Sequence, residues 1–300
     1  MTTQSHPMPQ SKPKSMLRGK GEPVLPRAFR LLLQASIGLS ILVLATLMVD
    51  VLRDGLPELS MDFLTSPASI NPAKAGIEPA ILGTLWLIAV AIVVIVPLGV
   101  ASAIYLEEYA DPDKWYNRLI EVNIQNLAAV PSIVYGILGL AFLVRGPFAL
   151  GATILAGGLT LGLLVLPVVI IAAREAIRAV PQAIRQGALA LGATKWQTIA
   201  RQVLPASVPG IATGVILALS RAIGETAPLI VVGAAVYVTS NPGGLDDKFT
   251  ALPIQIFEWI SRPQEQFQLL AAAGIIVLLV ILMVLNSVAI ALRNRYQQKW

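Results

Sequence analysis

Cysteine is missing from all 300 residues, and histidine occurs once. The first absence excludes disulfide scaffolds, thiolate zinc sites, iron–sulfur clusters and cysteine nucleophiles, and leaves no trace of redox compartment. His6 stands among Pro7, Pro9 and Pro13 in a polar N-terminal stretch, so histidine-based catalysis is set aside as well. No metal site is expected. Charge is scarce too: 13% of residues are Asp, Glu, Lys or Arg, against about 25% in soluble domains. What fills the chain is apolar, 56% of it, with a mean hydropathy of +0.73.

A bilayer core of about 30 Å takes roughly 20 apolar residues in helical form. Charge-free windows of that kind run over 31–49, 79–106, 122–144, 146–173 and 266–292, and a sixth, 209–238, is interrupted only by Arg221 and Glu225. The expectation is an all-α polytopic membrane protein with six transmembrane helices. The first window could be a signal peptide by position. It is longer than the about 7–15 apolar residues of such a segment, and "MVDVLRDGLPE" holds no A-x-A-like cleavage site, so an anchored helix over 31–52 is expected.

Six spans place both termini and two loops on one side. Those segments carry Lys12, Lys14, Arg18, Lys20, Arg27 and Arg30, then Lys114 and Arg118, then Arg174, Arg178, Arg185, Lys195 and Arg201, and finally Arg293, Arg295 and Lys299. The other side has only Arg53, Lys74, Arg145, Lys248 and Arg262. This bias puts both termini in the cytoplasm, and the pI near 9.6 then needs no nucleic acid to explain it. The segmentation is a disordered basic cytoplasmic tail over 1–30, the first helix over 31–52, an extracytoplasmic loop over 53–78, a five-helix core over 79–292 and a cytoplasmic tail over 293–300. The outer loops hold prolines, glycines and acids such as Asp62, Asp246 and Asp247, without the pattern of a domain.

The cytoplasmic stretch 174–208 stands apart. "REAIRAVPQAIRQGALALGATKWQTIARQVLPASVPG" begins at Arg174, meets Pro181, and carries Ile184, Ala188 and Leu191 on one face of a helix from Gln182 to about Leu191 before Gly192 breaks it. A short helix with small residues beside a glycine hinge suits a groove on another protein. A helix lying on lipid headgroups would look the same from these residues alone.

The sharpest question is "SRAIGETAP", 220–228. At about 1.5 Å per residue from Pro209, Arg221 lies about 18 Å and Glu225 about 24 Å along the predicted helix, deep in the bilayer. An arginine there costs roughly 2.5–3.5 kcal/mol on insertion scales, so it belongs against a bundle interior or a wet path. Four residues apart, the two side chains share a face and can pair. One reading is a structural ion pair; the other is that Arg221 offers its planar fork to an oxyanion on a transport path while Glu225 holds it in place. Pro228 has no N–H for the carbonyl of Gly224, so a kink is expected beside the pair. Gly214, Gly224 and Gly233 are expected to let helices approach closely. Pro131 and Pro167 read as packing kinks, and Asn123, Gln125 and Asn126 as interhelical hydrogen-bonding groups.

Gln186-Gly187-Ala188, then Gly192, then Leu204-Pro205 resembles the EAA loop of ABC importer permeases, with Gln186 in place of the family's glutamate, Gly187 for alanine and Gln202 at the isoleucine position. "GIEPAILGTL", "VPSIVYGILGL", "ALGATKWQTIARQVLPASVPGI" and "SRAIGETAPLI" together resemble the PstA-type permease subunit of bacterial phosphate importers, over about residues 60–290. The resemblance implies a type I ABC importer permease fold, a loop that docks on an ATPase subunit, and an Arg221 and Glu225 that matter for phosphate transport. It also implies partners: a PstC-type permease subunit in a heterodimer, two copies of an ABC ATPase and an extracytoplasmic phosphate-binding protein.

The chain itself has no nucleotide loop. Gly187 to Gly192 has G-x-x-x-x-G spacing, but Ala193-Thr194 follow where Lys and Ser/Thr are required, and no strand precedes it. ATP and Mg are therefore expected on the partner ATPase, with no cofactor on this chain and no enzymatic role for it. Three other readings stay open. A sulfate or molybdate permease has the same features. A proton-coupled carrier would use Glu225 as its proton site but has no need of an ATPase dock. A membrane scaffold would have no use for a buried charged pair.

Overall fold

The computed structural model describes residues 24–234 and 238–295. The tails expected over 1–30 and 293–300 lie largely outside the described residues. Two compact units divide after Asp50. In the first, the described part is helix α1 (Val24–Gly55), which begins ahead of the expected start at 31 and runs on past the boundary. Its sequence is apolar on every side, as a helix in lipid requires.

The second unit opens with α2 (Met61–Thr65), whose N-cap Ser60 accepts the Phe63 N–H at 3.1 Å. Helix α3 (Glu78–Ile104) has Pro79 in its first turn, where a missing N–H costs nothing, and passes into a π-turn at Tyr105–Tyr109. Helix α4 (Trp115–Ala128) is followed by α5 (Ser132–Leu138), which continues as a π-turn over Gly139–Val144. Helix α6 (Ile154–Arg178) is the central span. Then come α7 (Gln182–Ala190), α8 (Lys195–Thr198), a π-turn at Ile199–Val203, α9 (Leu204–Ile223), α10 (Ala227–Val232), α11 (Leu252–Ile260) and α12 (Glu265–Arg295). Among the described residues there is no strand. Within the described residues five helices are long and apolar enough to cross a membrane, and six if the bent pair α4 and α5 is one span.

Apolar clusters follow one another along α3. Ile77 and Ala80 pack with Leu252, Trp259 and Phe267; Leu87 and Val90 with Ile154, Leu161 and Phe249; Ile95 with Leu164, Val165 and Ala218; Ala103 with Ile177, Val203 and Ile211. Lipid is as apolar as leucine, so close fit rather than water exclusion joins such helices. Gly158 and Gly162 supply that fit on α6: a Cβ there would lie 2.6 Å from Val90 Cβ and 2.5 Å from Ile95 Cγ1 of α3. Gly214 meets Ala172 in the same way where α9 crosses α6.

Four expectations change. The window 122–144 is not one straight helix, since α4 and α5 meet at 109°. Pro131 cannot donate into a helix, and it pushes the residue before it out of helical geometry. The carbonyl of Leu127, for which Pro131 has no N–H, accepts the Val130 N–H at 3.1 Å and the Tyr135 hydroxyl at 2.8 Å. The window 209–238 is likewise not one helix. It starts as early as Lys195, and helix α9 ends at Ile223. Pro205 has no N–H for the carbonyl of Arg201, and the turn before it widens to a π-turn.

The outer stretch expected to be loop over 239–265 contains buried α11, whose Leu252 N–H donates to Thr84 Oγ1 at 2.9 Å. Its apolar side chains Leu252, Ile256 and Trp259 recur at helical spacing, a signal hidden by its short length. Finally, Asn123, Gln125 and Asn126 are exposed, and Asn123 Nδ2 donates to the Leu119 carbonyl of its own helix.

Candidate substrate path and coupling loop

Arg221 and Glu225 do not sit inside a continuous helix. Helix α9 stops at Ile223 with Gly224 as its C-cap, Glu225 and Thr226 cross a non-helical gap, and α10 starts at Ala227 with Pro228 in its first turn. The kink expected from Pro228 is thus a full break. Arg221 occupies the last turn of α9, where the helix dipole is negative, and Glu225 stands just ahead of α10, where it is positive. Each charge has the helix end that suits it. Broken spans of this kind, with freed backbone and opposed dipoles, are how membrane proteins build ion sites.

Arg221 Nε lies 3.3 Å from Glu225 Oε1. The arginine side chain is 47% exposed and the glutamate 17%. Along α9, Leu217, Arg221 and Gly224 form one stripe that the rest of the chain leaves open. Behind the break, α5 packs on α10 so tightly that a Cβ on Gly136 would lie 2.7 Å from Pro228 Cα. Tyr135, one residue earlier, is buried against α6 and α9 with Val165, Ala218 and Ala222. Of the three glycines expected to permit close approach, Gly214 does so. Gly224 serves as a cap, with only an ordinary contact at 3.9 Å to the Arg221 carbonyl. Gly233 ends α10 at φ 99°, a conformation that favours glycine, and also brings the chain close to Ala152, whose Cβ is 3.1 Å from where a Cβ on Gly233 would lie. Ser220, next to Arg221, lies 2.7 Å from Asn286 Oδ1, which ties α9 to α12.

The loop over 174–208 takes the expected form in its middle. Helix α6 runs on to Arg178, Pro181 caps α7, and Gly192 follows α7 at φ 85°. Gln186, Gly187 and Gly192 are exposed and Ala188 is half-buried, so these four residues share one accessible segment. Leu204 and Pro205 are placed apart from them, half-buried at the start of α9. Leu189, Leu191 and Trp196 stand exposed beside Gly192. Between them Thr194 and Gln197 form a reciprocal cap that starts α8.

An ionic cluster at this end went unread in the sequence. Glu107 takes two hydrogen bonds from Arg178, Nε to Oε1 at 3.0 Å and Nη2 to Oε2 at 2.9 Å, and one from Arg174 Nε at 3.0 Å. Arg174 also reaches Glu121 of α4 at 2.7 Å. Glu108 Oε1 receives Arg185 of α7 through Nε at 3.1 Å and Nη2 at 2.9 Å. The available signal was the adjacent acids Glu107 and Glu108 ending one apolar window on the side where the basic residues of 174–208 gather.

A bundle of broken and continuous spans with an exposed helical loop between two of them defines a membrane-embedded transport component. The chain belongs to the family of binding-protein-dependent transport system inner membrane components, whose model matches residues 95–299. It is a multi-pass inner-membrane permease of the ABC importer class. Among its relatives is the phosphate transport system permease protein PstA of Xylella fastidiosa, 34% identical over 247 residues that cover 80% of this chain and 83% of that protein. PstA 1 of Mycobacterium tuberculosis is 34% identical over 73% of this chain and 70% of its own length. The probable ABC transporter permease YqgI of Bacillus subtilis is 33% identical over 64% of this chain and 66% of its own. In fold the chain is similar to a chain of a bacterial alginate ABC transporter (TM-score 0.63, 18% identity, 86% of this chain and 92% of that one) and to one of the MetNI methionine ABC transporter (TM-score 0.57, 14% identity, 72% and 92%).

Proposed function

We propose that the chain is a permease subunit that moves inorganic phosphate into the cell by alternating access, driven by ATP hydrolysis on a partner. The observation that carries this reading is the Arg221–Glu225 pair, set at a helix break on the face of α9 that the chain leaves open. A half-exposed guanidinium presents a flat, permanently charged fork that matches two phosphate oxygens. Glu225, at 3.3 Å, competes for the same fork. It holds the arginine in place between passages and keeps the path from trapping the anion. PstA relatives over most of the chain support phosphate as the cargo.

Both termini face the cytoplasm in this arrangement, as the distribution of Lys and Arg requires. The loop at Gln186, Gly187, Ala188 and Gly192, with Leu204 and Pro205 at its return, then lies on the ATPase side. One permease chain forms half of a path, and the open stripe on α9 faces the other half. We assign that place to a PstC-type subunit, over two copies of an ABC ATPase that bind ATP and Mg, with an extracytoplasmic phosphate-binding protein at the outer mouth. This chain forms no covalent bond to its cargo.

The test is phosphate uptake into vesicles holding the complete complex, wild type against Arg221→Gln and Arg221→Lys. Arg221→Gln is expected to abolish uptake with assembly intact. Arg221→Lys, which keeps the charge and loses the fork, is expected to restore only part of it. Normal uptake by Arg221→Gln, or loss of uptake only through loss of the complex, would make the pair structural. Sulfate in place of phosphate in the same vesicles distinguishes the cargo.

A further inference from the structure

Helix α7 fully buries none of its residues, and its apolar contact with the spans is Ile184, half-buried against Ile177, Val180 and Val203. Its second anchor is polar. Arg185 reaches back from α7 to Glu108 and caps the end of α6, donating through Nη2 to the Ile177 carbonyl at 2.8 Å and through Nη1 to that of Val180. The pair is deeply placed, with 12% of the Arg185 side chain and 9% of the Glu108 side chain exposed. A charge buried to that extent without its partner is strongly unfavourable, so the pair holds its geometry.

The π-turn Tyr105–Tyr109 then does something that no single contact shows. Consecutive side chains in a helical turn fan out by roughly 100° or less, and here three in a row meet three different elements. Glu107 goes to Arg174 and Arg178 of α6, and Glu108 to Arg185 of α7. The Tyr109 ring lies 4.8 Å under Lys195 Nζ of α8. Arg174 carries the chain of contacts on to Glu121 of α4, and α4 leads through its bend, closed by Tyr135, to α5 and the break beside Glu225.

We infer that Glu107, Glu108 and Tyr109 are positioning residues for the coupling loop: they fasten α7 and α8 to the ends of α3 and α6, so that a push on α7 moves these spans and α4 as one body. The inference rests on the reading of this loop as an ATPase dock. A contiguous chain of packed and paired groups is what such a mechanical link needs. It also explains how α7 can leave Gln182, Gln186 and Gly187 exposed for its partner and still transmit force.

The experiment measures phosphate uptake and ATP hydrolysis together in vesicles holding the complete complex, and takes their ratio. Glu108→Ala is expected to keep hydrolysis and to lower phosphate moved per ATP roughly tenfold, within the range of about 5- to 150-fold typical of coupling between sites. Tyr109→Ala should lower the ratio too, whereas Tyr109→Phe, which keeps a ring under Lys195, should match wild type. An unchanged ratio in Glu108→Ala overturns the inference. If that variant does not assemble, an unchanged ratio in Tyr109→Ala overturns it instead. The chain has no cysteine, so spin labels at Gly187→Cys and Arg118→Cys read the placement of α7 directly. A distance distribution that stays as narrow in Glu108→Ala as in its parent sinks the inference even in a complex that moves no phosphate, whereas absence of phosphate uptake in the wild-type complex sinks only the cargo assignment.

Discussion

Replacing Gly136 with alanine adds one methyl group at the place where α5 lies on α10, and its effect can be worked out in ångströms. The new Cβ would stand 2.7 Å from Pro228 Cα and 2.9 Å from the Pro228 carbonyl oxygen. Ordinary contacts begin at 3.4 Å, so a gap of about 0.7 Å must open. Both opposing atoms are backbone, and no rotamer change relieves them. Overpacking of this sort costs about 1–3 kcal/mol. The part of that strain that moves α10 away from α5 carries the break with it, because Pro228 lies three residues beyond Glu225. The Arg221–Glu225 contact, now 3.3 Å, would open toward the limit of an ion pair. Misplacement of a binding group by about 1 Å can cost on the order of 100-fold in rate. The expected outcome for 0.7 Å is therefore an uptake rate reduced by about one order of magnitude, with the complex still assembled. The assay is the initial rate of labelled phosphate uptake into vesicles, normalised to assembled complex. Gly38→Ala, on α1, serves as the control, because nothing lies within 4 Å of a Cβ there. Wild-type uptake by Gly136→Ala would refute the argument that the α5–α10 contact sets the geometry of the charged pair.

Two further substitutions probe the scaffold. Gly192→Ala puts a side chain on a residue at φ 85° with open space around it; the cost is backbone strain alone, about 1–2 kcal/mol. Titration of the ATPase subunit against the variant should show binding weakened by about tenfold, and Gly192→Asn should be milder. Thr84→Val removes the buried acceptor of the Leu252 N–H, which leaves a donor unpaired at a cost of about 1–3 kcal/mol. Thermal unfolding of the purified complex should show the loss, while Thr84→Ser keeps the hydroxyl and should stay near wild type.

The long spans were legible because hydropathy over 20 residues is a strong signal, and α12 (Glu265–Arg295) brackets the window 266–292 closely. The short helix after Pro181 was legible for a different reason. Proline, a 3.6-residue apolar pattern and a glycine bound it on the chain itself, and α7 (Gln182–Ala190) follows those marks. What hydropathy could not show is where an apolar window bends, since a break with apolar flanks reads the same as a helix. Pro131 and Pro228 mark both breaks, yet Pro97 and Pro167 sit inside continuous helices. A proline therefore decides little without its neighbours. The ionic cluster was hidden because its partners are far apart in sequence: Glu107 and Arg178 are separated by 71 positions, and only the return of α6 beside α3 brings them together.

The breaks also resolve the cost of placing two charges in a membrane span. In an unbroken helix, Arg221 would have every neighbouring carbonyl committed to the backbone ladder and only Glu225 to answer its charge. Ending α9 at Ile223, where the Gly224 and Glu225 N–H groups close the last turn on the Arg221 and Ala222 carbonyls, directs the negative end of the helix dipole at the arginine. Starting α10 at Ala227 does the reverse for the glutamate. The pair therefore depends less on its own Coulomb attraction than a buried pair in a continuous helix would. On the proposed function, that would leave the guanidinium free to exchange one oxyanion for another, a carboxylate for a phosphate, without a large change in its own stabilisation. A charge that must bind and release on each cycle is better served by two helix ends than by a tight partner, and the glycine and proline at 224 and 228 supply those ends.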